Sequence, residues 1–248
     1  MILHIPHSST IIPADLREQF LFSDQEIQEE LIRMTDHFTH ELFDWPNCSK
    51  AIFPISRLLV DAERFEHDER EEMAARGMGV IYERSSVCTP MKRKPTEELR
   101  EDLLNRYYRP HHKRLSDLLA TELREQGEAL LIDCHSFNSI PKPYEKNQGF
   151  DRADICLGTS AYHTPGELRD KIKGFFEAKG YSVAIDTPFD GCLIPMAFYG
   201  CESRVHGIMI ELNRKLYMNE QTGEKHQGFK KLQADLLELR NRLEPERI

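Results

Sequence analysis

The stretch that decides the fold is "LLIDCHS", residues 130–136. Three aliphatic residues run straight into Asp133, Cys134, His135 and Ser136. A short apolar run of this kind reads as a buried strand. This one ends in reactive side chains, so its meaning depends on whether other strands end the same way. Two of them do. "ILHI" (2–5) is followed by Pro6, His7, Ser8 and Ser9, and "IMI" (208–210) is followed by Glu211, Asn213 and Arg214. Ligands of open α/β sheets bind outside the carboxyl ends of the strands. If these three strands are parallel neighbours, two histidines and a glutamate converge on one edge.

The rest of the chain supplies the remaining elements. "KAIFPI" (50–55), "ALLID" (129–133), "DICLG" (154–158), "YSVAI" (181–185) and "GIMIEL" (207–212) are expected strands. Ser23 and Glu26 in "SDQE" form a capping box that predicts a following helix. "TPGE" (164–167) predicts a second box, with proline at the first helical position and a stop at Gly180. A helical region runs from Thr96 to about Gly127, and Pro110 is expected to kink or break it. Phe229, Leu232, Leu236, Leu239 and Leu243 fall at helical spacing, so an amphipathic helix closes the chain. Residues 65–79 are charged and read as a solvated loop or short helix. Strands and helices alternate, which predicts one α/β domain over residues 1–248, with a mixed, mostly parallel sheet and helices on both faces.

Composition narrows the function. The 248 residues carry a formal net charge of −9. That excludes nucleic acid as the main partner, because phosphate binding needs a basic footprint. It leaves room for a small anion bound by a local arginine cluster. No run of about 18 apolar residues occurs, so no membrane span is expected. No basic n-region or long h-region opens the chain, and none of the six cysteines forms a C-x-x-C pair. The expectation is a cytoplasmic protein with reduced thiols.

Two histidines beside carboxylates suit a catalytic zinc ion, which takes three protein ligands and keeps a fourth position open. A nearby carboxylate then serves as general base toward water. "RMTDHFTHELF" (33–43) offers Asp36, His37 and His40 as the third ligand, and spacing alone does not choose among them. Blander roles exist for each group. A histidine behind a strand often only bonds backbone, Asp133 can cap a turn, and Glu211 can pair with Arg214. Ser136 lies beside His135, yet no G-x-S-x-G elbow is present. Cys134 alternates away from His135 on a strand and is expected to be packed. Arg57, Arg64, Arg106 and Arg109 add guanidinium groups suited to two-point binding of a carboxylate, with Arg109 the plainest surface candidate.

Taken together, "HIPHSS", "TDHFTHELF", "SRLLVDAERF", "RYYRPHH", "LLIDCHS", "DICLGT" and "VHGIMIELNRKLYM" resemble the N-formylglutamate amidohydrolase family, in the same order, from residue 4 to about residue 218. The most specific pieces are the D-x-H-S strand exit and E-L-N-R-x-L-Y-M. The resemblance implies a zinc-carboxypeptidase-like three-layer α/β/α sandwich, akin to aspartoacylase, with zinc at the strand ends. It implies His7, Asp36 and His135 as metal ligands and Glu211 as catalytic base or acid. Arg57 would stabilise the oxyanion, and Arg64, Arg106, Ser136 and Arg214 would bind substrate. The implied activity is hydrolysis of a small N-acyl, N-formyl-type amino acid. The alternative is a non-catalytic metal- or ligand-binding protein, for which an intact Glu211 would be superfluous.

The chain also departs from the family pattern at Ser9, His111 and Cys192, and above all at Glu63, which stands where the family's D-x-N-R motif carries an asparagine. Glu63 is expected either to pair with Arg64 or Arg57, or to face the pocket. Both arrangements predict weak action on N-formylglutamate and a preference for neutral or basic side chains.

Overall fold

The computed structural model describes residues 1–149 and 151–243. The expected end of the domain at residue 248 lies outside the described residues. In chain order the elements are β1 (Ile2–Ile5), α1 (Asp24–Met34), α2 (Thr39–Leu42), β2 (Ser49–Ile52), α3 (Glu97–Leu103), α4 (Arg109–Gln126), β3 (Ala129–Phe137), β4 (Ile155–Gly158), α5 (Gly166–Ala178), β5 (Val183–Ile185), β6 (Val205–Asn213) and α6 (Gly228–Leu243). The six strands form one sheet in the order β2-β1-β3-β6-β4-β5. β2, β1, β3 and β6 run parallel, whereas β4 pairs antiparallel with β6 and parallel with β5. The sheet is therefore mixed and mostly parallel.

Strand alternation sorts the side chains into two cores. Leu3, Ile5, Ile132, Cys134, Ile208, Ile210 and Leu212 share one cluster with Ile172 and Phe176 of α5 and Leu232, Leu236 and Leu239 of α6. On the opposite face Ile2, Ala129, Leu131 and Val205 pack with Leu115 and Leu119 of α4. Helices thus cover both faces, as expected for a three-layer sandwich. A third cluster combines α1, α3 and residues 53–91, including Phe53 and Ile55 directly beyond β2. It lies beside the carboxyl ends of β1 and β2.

Several local expectations hold and others need correction. Ser23 caps α1 through the full reciprocal box with Glu26. The box at 164–167 does not form, because the Thr164 hydroxyl donates to Gly207 O instead, and α5 begins without a side-chain cap. Pro110 does not break its helix. It sits in the first turn of α4, where its missing N–H costs little, and a π-helical turn at Leu104–Tyr108 absorbs the join to α3. β3 is longer than "ALLID" and carries His135 and Ser136 inside the strand. Residues 68–70 and 72–76 form short 3-10 turns in the charged segment. No helix among the described residues is long and apolar enough to cross a membrane.

One buried charge tests the third cluster. Lys92 is 5% exposed, its Nζ donates to Leu59 O at 3.2 Å and lies over the Phe20 ring, and no carboxylate pairs with it among the described residues. Burial pulls its ammonium down from 10.5 to about 7. A lysine depressed in this way penalises the fold fully below pH 7, and the penalty fades as pH rises toward 10.5, where the unfolded chain also loses its proton. Lys92→Met is therefore expected to raise the melting temperature at pH 6–7, with a gain that shrinks by pH 10. Thermal melts of both proteins across that range check it, and a gain independent of pH would contradict it.

Candidate metal and catalytic site

Lower on the α4 face the strands carry Ile2, Leu131 and Val205. Higher on the same face the period of two brings out His4, Asp133, His135 and Glu211. The answer to "LLIDCHS" is this change along one strand face, from packing at one end to chemistry at the other. Parallel pairing sets His135 directly beside Glu211 and His4 beside Asp133. His7 follows β1, and the backbone bond from Asp36 N to His7 O (2.9 Å) draws the turn between α1 and α2 over it.

His7, Asp36 and His135 offer three buried ligand atoms, all within 4.8 Å of one another. Asp36 Oδ2 lies 3.2 Å from His135 Nδ1 and 3.6 Å from His7 Nδ1. Tetrahedral zinc bonds of about 2.0–2.1 Å place ligand atoms roughly 3.3–3.4 Å apart. The far edges of both rings are committed to carboxylates. His7 Nε2 meets Asp61 Oδ1 at 2.7 Å, and His135 Nε2 meets Asp133 Oδ1 at 3.0 Å. Carboxylates accept only, so each Nε2 carries a proton; a cation in the cluster would take the lone pair of each neutral Nδ1, whereas without one His135 Nδ1 donates to Asp36 Oδ2 at 3.2 Å. His7 Nδ1 is buried with no hydrogen-bond partner. These residues fit a zinc ion: the separations match, an orphaned donor atom points inward, and carboxylate–histidine pairs fix the tautomers.

The electrostatics agree. Burial works against ionisation of Asp36, but the adjoining imidazoles of His135 and His7 and the Arg214 guanidinium hold its carboxyl well below the usual range. Asp61 is likewise held low against its burial by Arg57 and His7. Glu211 differs. Its Oε2 is buried without a partner, and burial lifts its carboxyl to about 8, a rise that His135 opposes and Asp36 adds to. An acid tuned upward beside a metal site suits proton transfer near neutral pH. A bound cation would draw that value down again.

A cavity of about 440 Å³ opens over this cluster, and its walls include His7, Asp36, Arg57, Glu63, Arg64, Arg70, His135, Ser136, Glu211 and Arg214. The arginines divide sharply. Arg57 donates to Asp61 Oδ2 through Nη2 (2.7 Å) and Nε (3.2 Å). Arg214 spends all five N–H donors on Asp36, Ser136 (twice), Asn138 and Arg33 O, so it is a scaffold and has no donor left for substrate. It pairs with Asp36 rather than Glu211. Arg106 is corrected too. It bonds Asp15 and Asp102 on the surface and does not line the cavity. Arg64 lies 3.9 Å from Asp61, with its buried Nε unpartnered, and Arg70 has no ion pair among the described residues. His37 bonds Leu31 O, and neither it nor His40 lines the cavity, which leaves Asp36 as the third candidate ligand of this cluster.

Other participants were not read from the sequence. Asp61 sits in a quoted motif but gave no sign that it would hold His7, Arg57 and the Tyr82 hydroxyl together. His4 read only as a strand residue, yet its Nδ1 bonds Asp133 at 2.8 Å and its Nε2 meets His111 at 2.9 Å. Glu63 does not pair with Arg64 or Arg57. Its two oxygens lie 3.4 Å from His4 Nδ1 and 3.4 Å from His135 Nε2.

Comparison with known proteins places these features in a family. The model of the N-formylglutamate amidohydrolase family matches residues 1–218. An N-formylglutamate deformylase of Pseudomonas aeruginosa is 27% identical over 233 residues, which cover 89% of this chain and 83% of that one. The crystal structure of an N-formylglutamate amidohydrolase from Ralstonia eutropha superposes with a TM-score of 0.82 at 26% identity, covering 98% of this chain and 91% of the other. A gene product of Agrobacterium tumefaciens shares the fold, with a TM-score of 0.69 at 17% identity and the same coverage.

If Asp61 fixes the tautomer of His7, Asp61→Asn is expected to weaken zinc binding about 10–100-fold. Competition against a chromophoric chelator measures it, and unchanged affinity would detach Asp61 from the metal.

Proposed function

The chain belongs to the N-formylglutamate amidohydrolase family and is an amidohydrolase, and from that premise we propose that it hydrolyses an N-formyl amino acid with zinc held by His7, Asp36 and His135. The observation that carries the metal is the convergence of His7 Nδ1, Asp36 Oδ2 and His135 Nδ1, with the far edges of both rings held by Asp61 and Asp133. A zinc ion there supplies Lewis acidity toward the formyl oxygen and lowers the pKa of water. Glu211 takes the proton of the attacking water on its unpartnered Oε2. It then hands that proton to the departing amine, so the C–N bond breaks and formate and the free amino acid leave. Arg57, steadied by Asp61, faces the negative charge that develops on the formyl oxygen.

The least committed guanidinium groups support a particular substrate class. With Arg57 and Arg214 held by aspartates and Lys146 by Glu72, Arg64 and Arg70 are the cavity arginines with charge to spare. Two such groups suit a dicarboxylate. Because Glu63 turns to the histidines and leaves Arg64 open, an N-formyl dicarboxylic amino acid, with N-formylglutamate first, replaces the neutral or basic side chain expected from the sequence.

Two outcomes test this reading. Glu211→Gln keeps the shape and removes the base. It is expected to lower kcat about 10²–10⁴-fold while one equivalent of zinc remains bound. Near-normal turnover would remove Glu211 from the reaction. Arg64→Met is expected to raise KM for N-formylglutamate at least tenfold, worth about 1.4 kcal/mol, and to leave kcat within a few-fold. Steady-state kinetics beside N-formylglutamine and N-acetylglutamate decide both the side chain and the acyl group.

A further inference from the structure

We propose that Glu63 is a positioning residue, which together with Asp133 holds the Nε2–H edge of His135 between two carboxylates and so governs how strongly Nδ1 binds the metal. The proposal rests on the zinc reading above and concerns a residue that reading does not use. Its basis is geometric. His135 Nε2 lies 3.0 Å from Asp133 Oδ1 and 3.4 Å from Glu63 Oε2. Glu63 Oε1 reaches His4 Nδ1 at 3.4 Å, and His4 Nδ1 also meets Asp133 Oδ1 at 2.8 Å. Asp133 hydrogen-bonds both ring edges, and the Glu63 carboxylate stands 3.4 Å from each as a charged neighbour without a hydrogen bond of its own to them.

Charge distinguishes this pair from the others around the cavity. Asp36 is matched by Arg214, and Asp61 by Arg57. Glu63 and Asp133 have no lysine or arginine partner among the described residues, and their ion pairs run only to imidazoles. Their negative charge acts on the N–H of His135 without a guanidinium to cancel it. A proton drawn toward acceptors on one ring nitrogen leaves the other nitrogen more electron-rich, and hence a stronger ligand.

The rest of the chain keeps this arrangement in place. Asp133 Oδ2 accepts from Leu193 N at 2.9 Å, which fixes the carboxylate. His4 Nε2 meets His111 Nε2 at 2.9 Å, and with Nδ1–H of His4 directed at Asp133 that contact is an N–H of His111 donating to His4. His4 is fully buried and cannot turn away. Of the two carboxylates, Glu63 is the one that borders the cavity.

Competing roles for Glu63 predict different results. His4, Glu63 and Asp133 also have the composition of a cation site of their own. A second alternative has Glu63 act on substrate by repelling anionic side chains. Glu63→Gln keeps the size and removes the charge, and wild type and variant are compared as purified full-length chains. Zinc stoichiometry is measured by elemental analysis, affinity by chelator competition, and kinetics on N-formylglutamate and N-formylglutamine. The expected result is one equivalent of zinc in both proteins and zinc affinity at least tenfold weaker in the variant. The electronic spectrum of the cobalt-substituted protein should shift, melting of the metal-free protein should be unchanged, and the ratio of kcat/KM for the two substrates should stay within twofold. Unchanged affinity and spectrum overturn the proposal, and do so together with a changed substrate ratio if Glu63 reads the substrate. Two equivalents in wild type and one in the variant overturn it in favour of a second cation. A wild type that binds no zinc at all removes this proposal and the zinc reading together, whereas unchanged affinity in the variant removes this one alone.

Discussion

The buried contact between Arg214 and Asp36 is the constraint on which the other arrangements depend. It spans 2.8 Å between groups that are each nearly sealed from solvent. Arg214 follows β6, and Asp36 lies in the turn between α1 and α2, so the pair ties the end of the sheet to a segment with no strand of its own. The same guanidinium binds the Arg33 carbonyl at the foot of α1, Asn138 beyond β3, and Ser136 within β3. Taking one partner from such a pair costs about 3–5 kcal/mol, because the other charge stays buried. The placement of Asp36 against His7 and His135 follows from this anchor. An arginine that looks available for substrate is in fact what makes the ligand set possible.

Buried acids elsewhere in the site follow the same logic. Each carboxylate that orients a histidine also answers to a second group: Asp61 to Arg57 and the Tyr82 hydroxyl, Asp133 to the Leu193 amide. Their orientation is over-determined, which is what a metal centre needs from its surroundings. Glu211 orients no histidine and, like Glu63, has one buried oxygen without a hydrogen-bond partner. An acid that must give and take a proton is poorly served by a fixed counter-charge, whereas burial leaves it able to do both.

The sequence made the scaffold legible where a single segment carries the signal. Apolar runs located the strands, the Ser23 box located α1, and the spacing from Phe229 to Leu243 located α6. His7, His135 and Glu211 were legible because each stands at or just past an apolar run, and parallel pairing of β1, β3 and β6 brings such positions together. What stayed hidden depends on partners distant in sequence. Arg214 and Asp36 are 178 residues apart, and His4 and His111 are 107. Arg106 misled because an arginine beside aromatic residues looks the same in sequence whether it faces a cavity or solvent. Thr164 misled because its hydroxyl had a carbonyl of β6 to choose over a helix N-terminus. The side to which Glu63 turns is a matter of rotamer and neighbours, and no spacing records it.

The location of His135 and Glu211 inside paired strands, with His7 and Asp36 on connecting segments, divides the site by lability. β3 and β6 pair along nine residues at the middle of the sheet, so their side chains can depart only if the sheet itself opens. The connecting segments have no strand pairing of their own, and Asp36 is held instead by its bond to Arg214 and its backbone bond to His7 O. One half of the cluster is thus fixed by the ladder of the sheet, and the other half by side-chain bonds and that one backbone bond.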